Sequence, residues 1–291
     1  MPSTIDIRRR IRSVKNTQQI TKAMKMVSAA KLRRAQERIF AARPYAAAMR
    51  EVLQSVATRV DVKQHPLLQQ REETKILVVV VTSDKGLCGA FNANAIKVAV
   101  NLLRDKQGEH TQVLPLGRKA NDFFRRRSIP LRKQAAHVFQ ALSLGTAREI
   151  ATSFISDFIS GDLDAVYLVF NEFRSIISQI VRVERLLPLA HEWAENQPQP
   201  QSGLSTIDYL YEPSPEAILN DLLPKHIEFQ LYRALLESAA AEQGARMTAM
   251  EAATKNASEM ISDLTLTYNR IRQAAITKEI IEIVSGAAAA Q

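Results

Sequence analysis

The sequence is short of most things that site chemistry needs. It has one cysteine, Cys88, so no internal disulfide can form, which fits a reducing compartment. Its five histidines, His65, His110, His137, His191 and His226, are scattered without metal-ligand spacing. His191-Glu192 begins a zinc-protease-like string, but Glu195 stands where the second histidine belongs. No apolar run reaches the roughly 18 to 20 residues that span a bilayer, and no signal-peptide core opens the chain. The Arg8–Arg10 cluster suggests a transit peptide only until one sees that helical periodicity starts at once. Glycine is nearly absent from both ends: seven of nine lie between about residues 75 and 205.

What is present is positive charge, placed unevenly. Residues 1–50 hold thirteen Lys or Arg against Asp6 and Glu37, whereas the whole chain is +9; the remainder is therefore slightly acidic. Nucleic acid, anionic lipid or an acidic protein surface would each suit such an end.

Three segments follow. Ile5 to about Thr58 is built of good helix formers, with Pro44 its one internal proline and the expected place for a kink. Ile7, Ile11, Val14, Thr21, Ser28, Leu32, Ala35 and Ile39 form a 4-3 stripe interrupted by Gln18 and Lys25. From about Lys75 to Ser205 the pattern turns mixed. Ile76–Val81 reads as a buried parallel strand, Phe91–Lys106 as a helix, and Val113–Leu116 and Ala165–Phe170 as strands. Thr146–Ile159 reads as a helix and Ile176–Leu187 as a strand or hairpin arm, giving an α/β domain with a mostly parallel sheet. Gln197–Gly203 reads as a linker. From Pro213 to about Ser285 a heptad seam runs through Leu236, Ala240, Gln243, Met247, Met250, Thr254, Ala257, Ile261, Leu264, Tyr268, Ile271 and Ala275. Glu251 and Lys255 have the spacing of a helical ion pair. Each seam is poor in large apolar residues for a homodimer. The expectation is therefore an antiparallel pairing of the terminal helices, the longer second one projecting beyond its partner.

The expected fold is thus α/β plus a long antiparallel coiled coil formed by the N- and C-terminal helices around a central Rossmann-like domain. The boundaries are a helix over 1–60, a linker over 61–74, the α/β domain over 75–205 and a helix over 206–291. The strand-to-helix loop Ser83–Asn92 (SDKGLCGAFN) lacks the Walker ending and keeps only Gly86 and Gly89 of a dinucleotide fingerprint. It is read as a tight turn, with Cys88 a packed residue and no cofactor.

Four blocks in order carry a family resemblance: Ser13–Gln36 (SVKNTQQITKAMKMVSAAKLRRAQ), Ser83–Asn92, Tyr209–Leu219 (YLYEPSPEAIL) and Ile276–Ala290 (ITKEIIEIVSGAAAA). Together they resemble the gamma subunit of F-type ATP synthases over the whole chain. The sequence departs from the pattern at Ala90, often a second glycine, and at Gly244, usually alanine, which costs about 1 kcal/mol in an exposed helical turn. It also lacks the cysteine-bearing insertion of chloroplast relatives.

The resemblance implies a non-catalytic central stalk that couples ion-driven rotation of a membrane ring to ATP synthesis. It implies alpha and beta subunits (an alpha3 beta3 hexamer), an epsilon subunit and the membrane c-ring as partners, with no membrane insertion. The expected place is peripheral, on the cytoplasmic face of a bacterial membrane. By the same resemblance Arg272, Gln273 and Thr277 contact the beta subunits' catch loop. Met24, with Lys22 and Lys25 beside it, lies near an acidic beta lever. Tyr209, Tyr211 and Glu212 face the ring. The alternative reading of the basic first segment is a nucleic-acid-binding coiled coil.

Overall fold

The structure, a computed structural model, describes residues 3–57, 65–106, 110–132, 138–139, 142–189, 212 and 214–289. It divides into two compact units, one of residues 1–29 with 246–291 and one of residues 30–245.

Helix α1 (Thr4–Ala57) starts at a reciprocal cap: Asp6 N donates to Ser3 Oγ and Ser3 N donates to the Asp6 carboxylate. It is continuous over 54 residues, with Pro44 inside its span. The last helix, α5 (Pro215–Ala289), begins with proline at its first position, where no intrahelical N–H is needed, and with Ser214 Oγ accepting from Ala217 N.

In the larger unit a four-stranded sheet has the order β2-β1-β3-β4. It comprises β1 (Lys75–Val81), β2 (His110–Leu116), β3 (Ala165–Phe173) and β4 (Gln179–Leu187). β1 pairs parallel with β2 and β3, and β4 closes the edge antiparallel to β3. Connections run through α2 (Phe91–Asp105), α3 (Arg118–Arg125) and α4 (Leu144–Ser160). These strands and helices coincide with the expected ones to within a few residues, but β2 starts three residues earlier and α3 was not foreseen. Linker residues 197–203 lie outside the described residues, as do His137 and His191.

The unbroken ILVVVV run is explained by two covered faces. Leu77, Val79 and Val81 join Leu168, Phe170, Phe154 and Phe158 on one side, where Leu53 and Val56 of α1 and Leu223, Ile227 and Leu231 of α5 also pack. Ile76, Val78 and Val80 face Ala99, Ala120 and Phe124 on the other. Here α1 and α5 run antiparallel, with the rings of Tyr45 and Phe229 at 5.0 Å.

Gly244 is buried rather than exposed. A Cβ there would come within 3.3 Å of Phe173 Cε2 and 3.5 Å of the Ile176 carbonyl, so the missing side chain lets the β3–β4 hairpin approach α5. The cost expected for a glycine in an exposed turn is therefore replaced by a packing role.

Candidate functional site

In the smaller unit the two helices form the antiparallel pair that their seams call for. Arg8 donates to Tyr268 Oη at 2.7 Å, the Thr21 and Thr254 hydroxyls meet at 2.8 Å, and Lys25 Nζ lies 2.6 Å from Glu251. Positions rise along one helix as they fall along the other. Ile7, Thr21 and Ser28 are buried, as are Met250 and Ala257 opposite. The small hydroxyl pair explains why the seam is thin in large apolar groups: it lets the helices approach closely while each hydroxyl keeps a partner. Thr254 Oγ1 also donates to the Met250 carbonyl.

Two expectations about pairing need correction. Glu251 takes Lys25 as its partner instead of Lys255, which sits 4.0 Å from Glu259. The seam also ends one step early. Ile271 is half-buried but Ala275 is exposed, because the opposing helix begins at Thr4 and no described residue lies across from Ala275.

Beyond Ile271 the described residues of α5 are all exposed up to Gly286. Arg272, Gln273 and Thr277 lie in this free stretch, together with Ile276, Ile280, Ile283 (72% exposed) and Val284 (62% exposed). At about 100° per residue these seven positions fall within an arc of roughly 140°. Glu282 and Lys278, paired at 3.4 Å, occupy the opposite side, and Glu279 borders the arc beside Arg272. The free stretch is therefore an amphipathic helix whose apolar face no described residue covers, with Arg272 and Gln273 able to donate from within that face.

On α1, Met24 is half-buried, Lys22 is exposed, and Lys25 is held by Glu251. Ile20, Met26 and Val27 add further uncovered apolar surface, each more than half exposed. Both ion-pair partners are substantially exposed, so the Lys25–Glu251 bridge contributes little stability. Glu212 is exposed two residues ahead of Ser214, whereas Tyr209 and Tyr211 lie outside the described residues.

The Ser83–Asn92 loop stands at the carboxyl end of β1, where a parallel sheet of this order would hold a ligand. Here the loop's groups bond to the chain itself. Asp84 Oδ1 accepts from Arg118 N at 3.0 Å and Thr82 Oγ1 accepts from Ala120 N at 2.9 Å, so α3's amino end is capped from β1. Ser83 N donates to Asn92 Oδ1 at 2.9 Å, and Cys88 and Phe91 pack against Ala241 of α5. Leu87 and Gly89 take positive φ to make this turn. Among the described residues no cluster of His, Cys, Asp and Glu could hold a metal ion, and no helix is long and apolar enough to cross a membrane.

A model of the family described as ATP synthase matches residues 3–290. The chain is 53% identical over 295 residues to the ATP synthase gamma chain of Solibacter usitatus, covering 100% of both chains. It is 50% identical over 297 residues to that of Chlorobium phaeobacteroides, covering 100% of this chain and 99% of the other. Among solved structures it resembles a central stalk/c-ring chain of the Tetrahymena thermophila mitochondrial ATP synthase. That likeness has a TM-score of 0.61 at 28% identity, over 80% of this chain and 99% of that one. It shares its fold with a chain of the Euglena gracilis mitochondrial enzyme, at a TM-score of 0.67 and 22% identity over 98% and 94% of the two chains. With likeness running from end to end, the chain belongs to the ATP synthase gamma chain family.

Proposed function

We propose that this chain is the central rotor shaft of a bacterial ATP synthase, turning inside a collar of alpha and beta subunits. Its end-to-end likeness to bacterial gamma chains carries the reading. The same likeness favours it over a nucleic-acid-binding coiled coil, which explains only the basic first segment. The uncovered amphipathic end of α5 supports it further, because an exposed apolar face of this size calls for a surrounding partner.

In this reading segments 1–60 and 206–291 form the shaft, 61–74 is a linker, and 75–205 faces the epsilon subunit and the membrane ring. Arg272, Gln273 and Thr277 touch the beta subunits from the free end of α5. Lys22, Met24 and Lys25 meet an acidic beta lever, with Lys22 the readier donor because Lys25 is engaged by Glu251. Tyr209, Tyr211 and Glu212 face the ring. The shaft acts by making different contacts with each beta subunit at each angle, which biases nucleotide affinity at sites it does not itself contain.

The chain makes and breaks no bonds in this reading and needs no cofactor. The absence of a Walker ending from the Ser83–Asn92 loop supports that. The chain would be held peripherally at the cytoplasmic face of the membrane through its partners.

Affinity purification of the tagged chain from its own cells tests the proposal. Alpha and beta ATPase subunits should be recovered with it. Recovery of the folded chain without them, or bound to nucleic acid, would refute the reading.

A further inference from the structure

Outside the helical pair, one charged feature is unused by the rotor reading. Between α2 and α3, on the sheet face away from α1 and α5, lies a trough of about 700 Å³. Ala93, Ile96 and Val100, spaced along one stripe of α2, form its floor with Phe123 of α3. Lys97 and Arg104 rise from the α2 side; Lys119, Arg126 and Arg127 rise from α3 and the turn after it. Asp122 is the single acid among the lining residues.

Several cations of the same unit have carboxylate partners. Elsewhere in the same unit Lys106 pairs with Glu73, Arg132 with Asp157, Arg148 with Glu228, Arg182 with Glu172 and Arg233 with Glu184. No described carboxylate pairs with any of the five trough cations, and Arg127 instead stacks 3.7 Å from the centroid of Phe123. Several unneutralised cations around one groove set up a positive potential that an anionic occupant would neutralise.

The spacing narrows the occupant. Lys97 to Arg104 and Lys119 to Arg126 are each seven residues, about 10.5 Å or two helical turns. Two rows of charge at helical period therefore flank an apolar floor. We propose that the trough docks an acidic amphipathic helix of another polypeptide, its apolar stripe on Ile96, Val100 and Phe123 and its Asp or Glu side chains against the two cation rows. A nucleic acid backbone would use the cations and leave the apolar floor unmatched. The inference rests on the charges of α2 and α3 alone, so it and the rotor reading can fail separately.

The test uses the full chain in its assembled native complex. A benzoylphenylalanine photo-crosslinker replaces Asn101, an exposed lining position. The expected product is a crosslink to a peptide with at least three acidic residues within about three helical turns. Its yield should fall about tenfold with Arg104→Glu plus Arg126→Glu and be held within about twofold by Arg104→Lys plus Arg126→Lys. Raising salt from 0.1 to 0.5 M should weaken it likewise. Thermal unfolding followed by circular dichroism should show both double variants folded. Crosslinks to lipid, nucleic acid or a non-acidic peptide overturn the proposal, as does a yield that survives charge reversal or the absence of any crosslink.

Discussion

Gly117 joins β2 to α3 with φ +113°, and a Cβ placed there would lie 2.0 Å from the Thr82 carbonyl oxygen. Gly117→Ala must therefore do more than adopt a poor dihedral: it must push β1 and β2 apart at their carboxyl ends. The dihedral strain is worth about 2 kcal/mol. The forced movement also breaks into a set of bonds that meet at this point. Thr82 N donates to the Leu116 carbonyl at 2.8 Å, Ala120 N to Thr82 Oγ1 at 2.9 Å and Arg118 N to Asp84 Oδ1 at 3.0 Å. Losing two of them adds about 1 kcal/mol each, for a total of about 4 kcal/mol. Gly161 is the control. It caps α4 at φ +83°, but nothing lies within 4 Å of its would-be Cβ, so Gly161→Ala carries only dihedral strain, about 1 kcal/mol. Hydrogen exchange read by mass spectrometry on peptides from 110–125 separates them. Protection should fall about a thousandfold for Gly117→Ala and less than about tenfold for Gly161→Ala. If the two variants lose protection to within a factor of about ten of each other, the close approach at Thr82 is not what fixes this junction.

Gly244→Ala should be near neutral in urea unfolding, because a helix-propensity gain of about 1 kcal/mol offsets a tight contact with Phe173; Gly244→Leu should lose about 1 to 3 kcal/mol by overpacking. His226 is buried beside Arg50 and Arg233 and accompanied by Gln230, and burial first, then those two cations, push its pKa down to about 4 from 6.5. Its neutral form is the folded one, so its contribution is complete above pH 6.5 and is lost as pH falls toward 4. Urea midpoints should show a loss of about 2 kcal/mol between about pH 7 and pH 5, which His226→Gln should remove. Arg272→Ala with Gln273→Ala should leave assembly intact and lower ATP synthesis and multi-site hydrolysis about fivefold or more; wild-type rates in a fully assembled complex would make these residues mere surface.

The two long helices and β1 were legible because each carries its own signal at short range: heptad spacing, a terminal cap, an uninterrupted apolar run. α3 was not, because its amino end is capped by Thr82 and Asp84, more than thirty residues earlier, and only Ala120 and Phe124 of its eight residues are buried. The trough was hidden for a related reason. Its cations are drawn from two helices, and the near balance of charge beyond residue 50 conceals a local excess that appears only when α2 and α3 lie side by side. The point where the helical pair stops was concealed in a more instructive way. Heptad spacing continues to Ala275 and cannot say where the opposing helix ends, but the Ser3–Asp6 cap fixes the start of α1, and the antiparallel register then leaves no described residue of α1 opposite Ala275. Past that limit the 4-3 spacing falls on Lys278 and Glu282, while Ile276, Ile280, Ile283 and Val284 mark a different, exposed face of the same helix. Apolar residues that no described residue covers point to a cover supplied from outside, and Arg272, Gln273 and Thr277 sit within that same face.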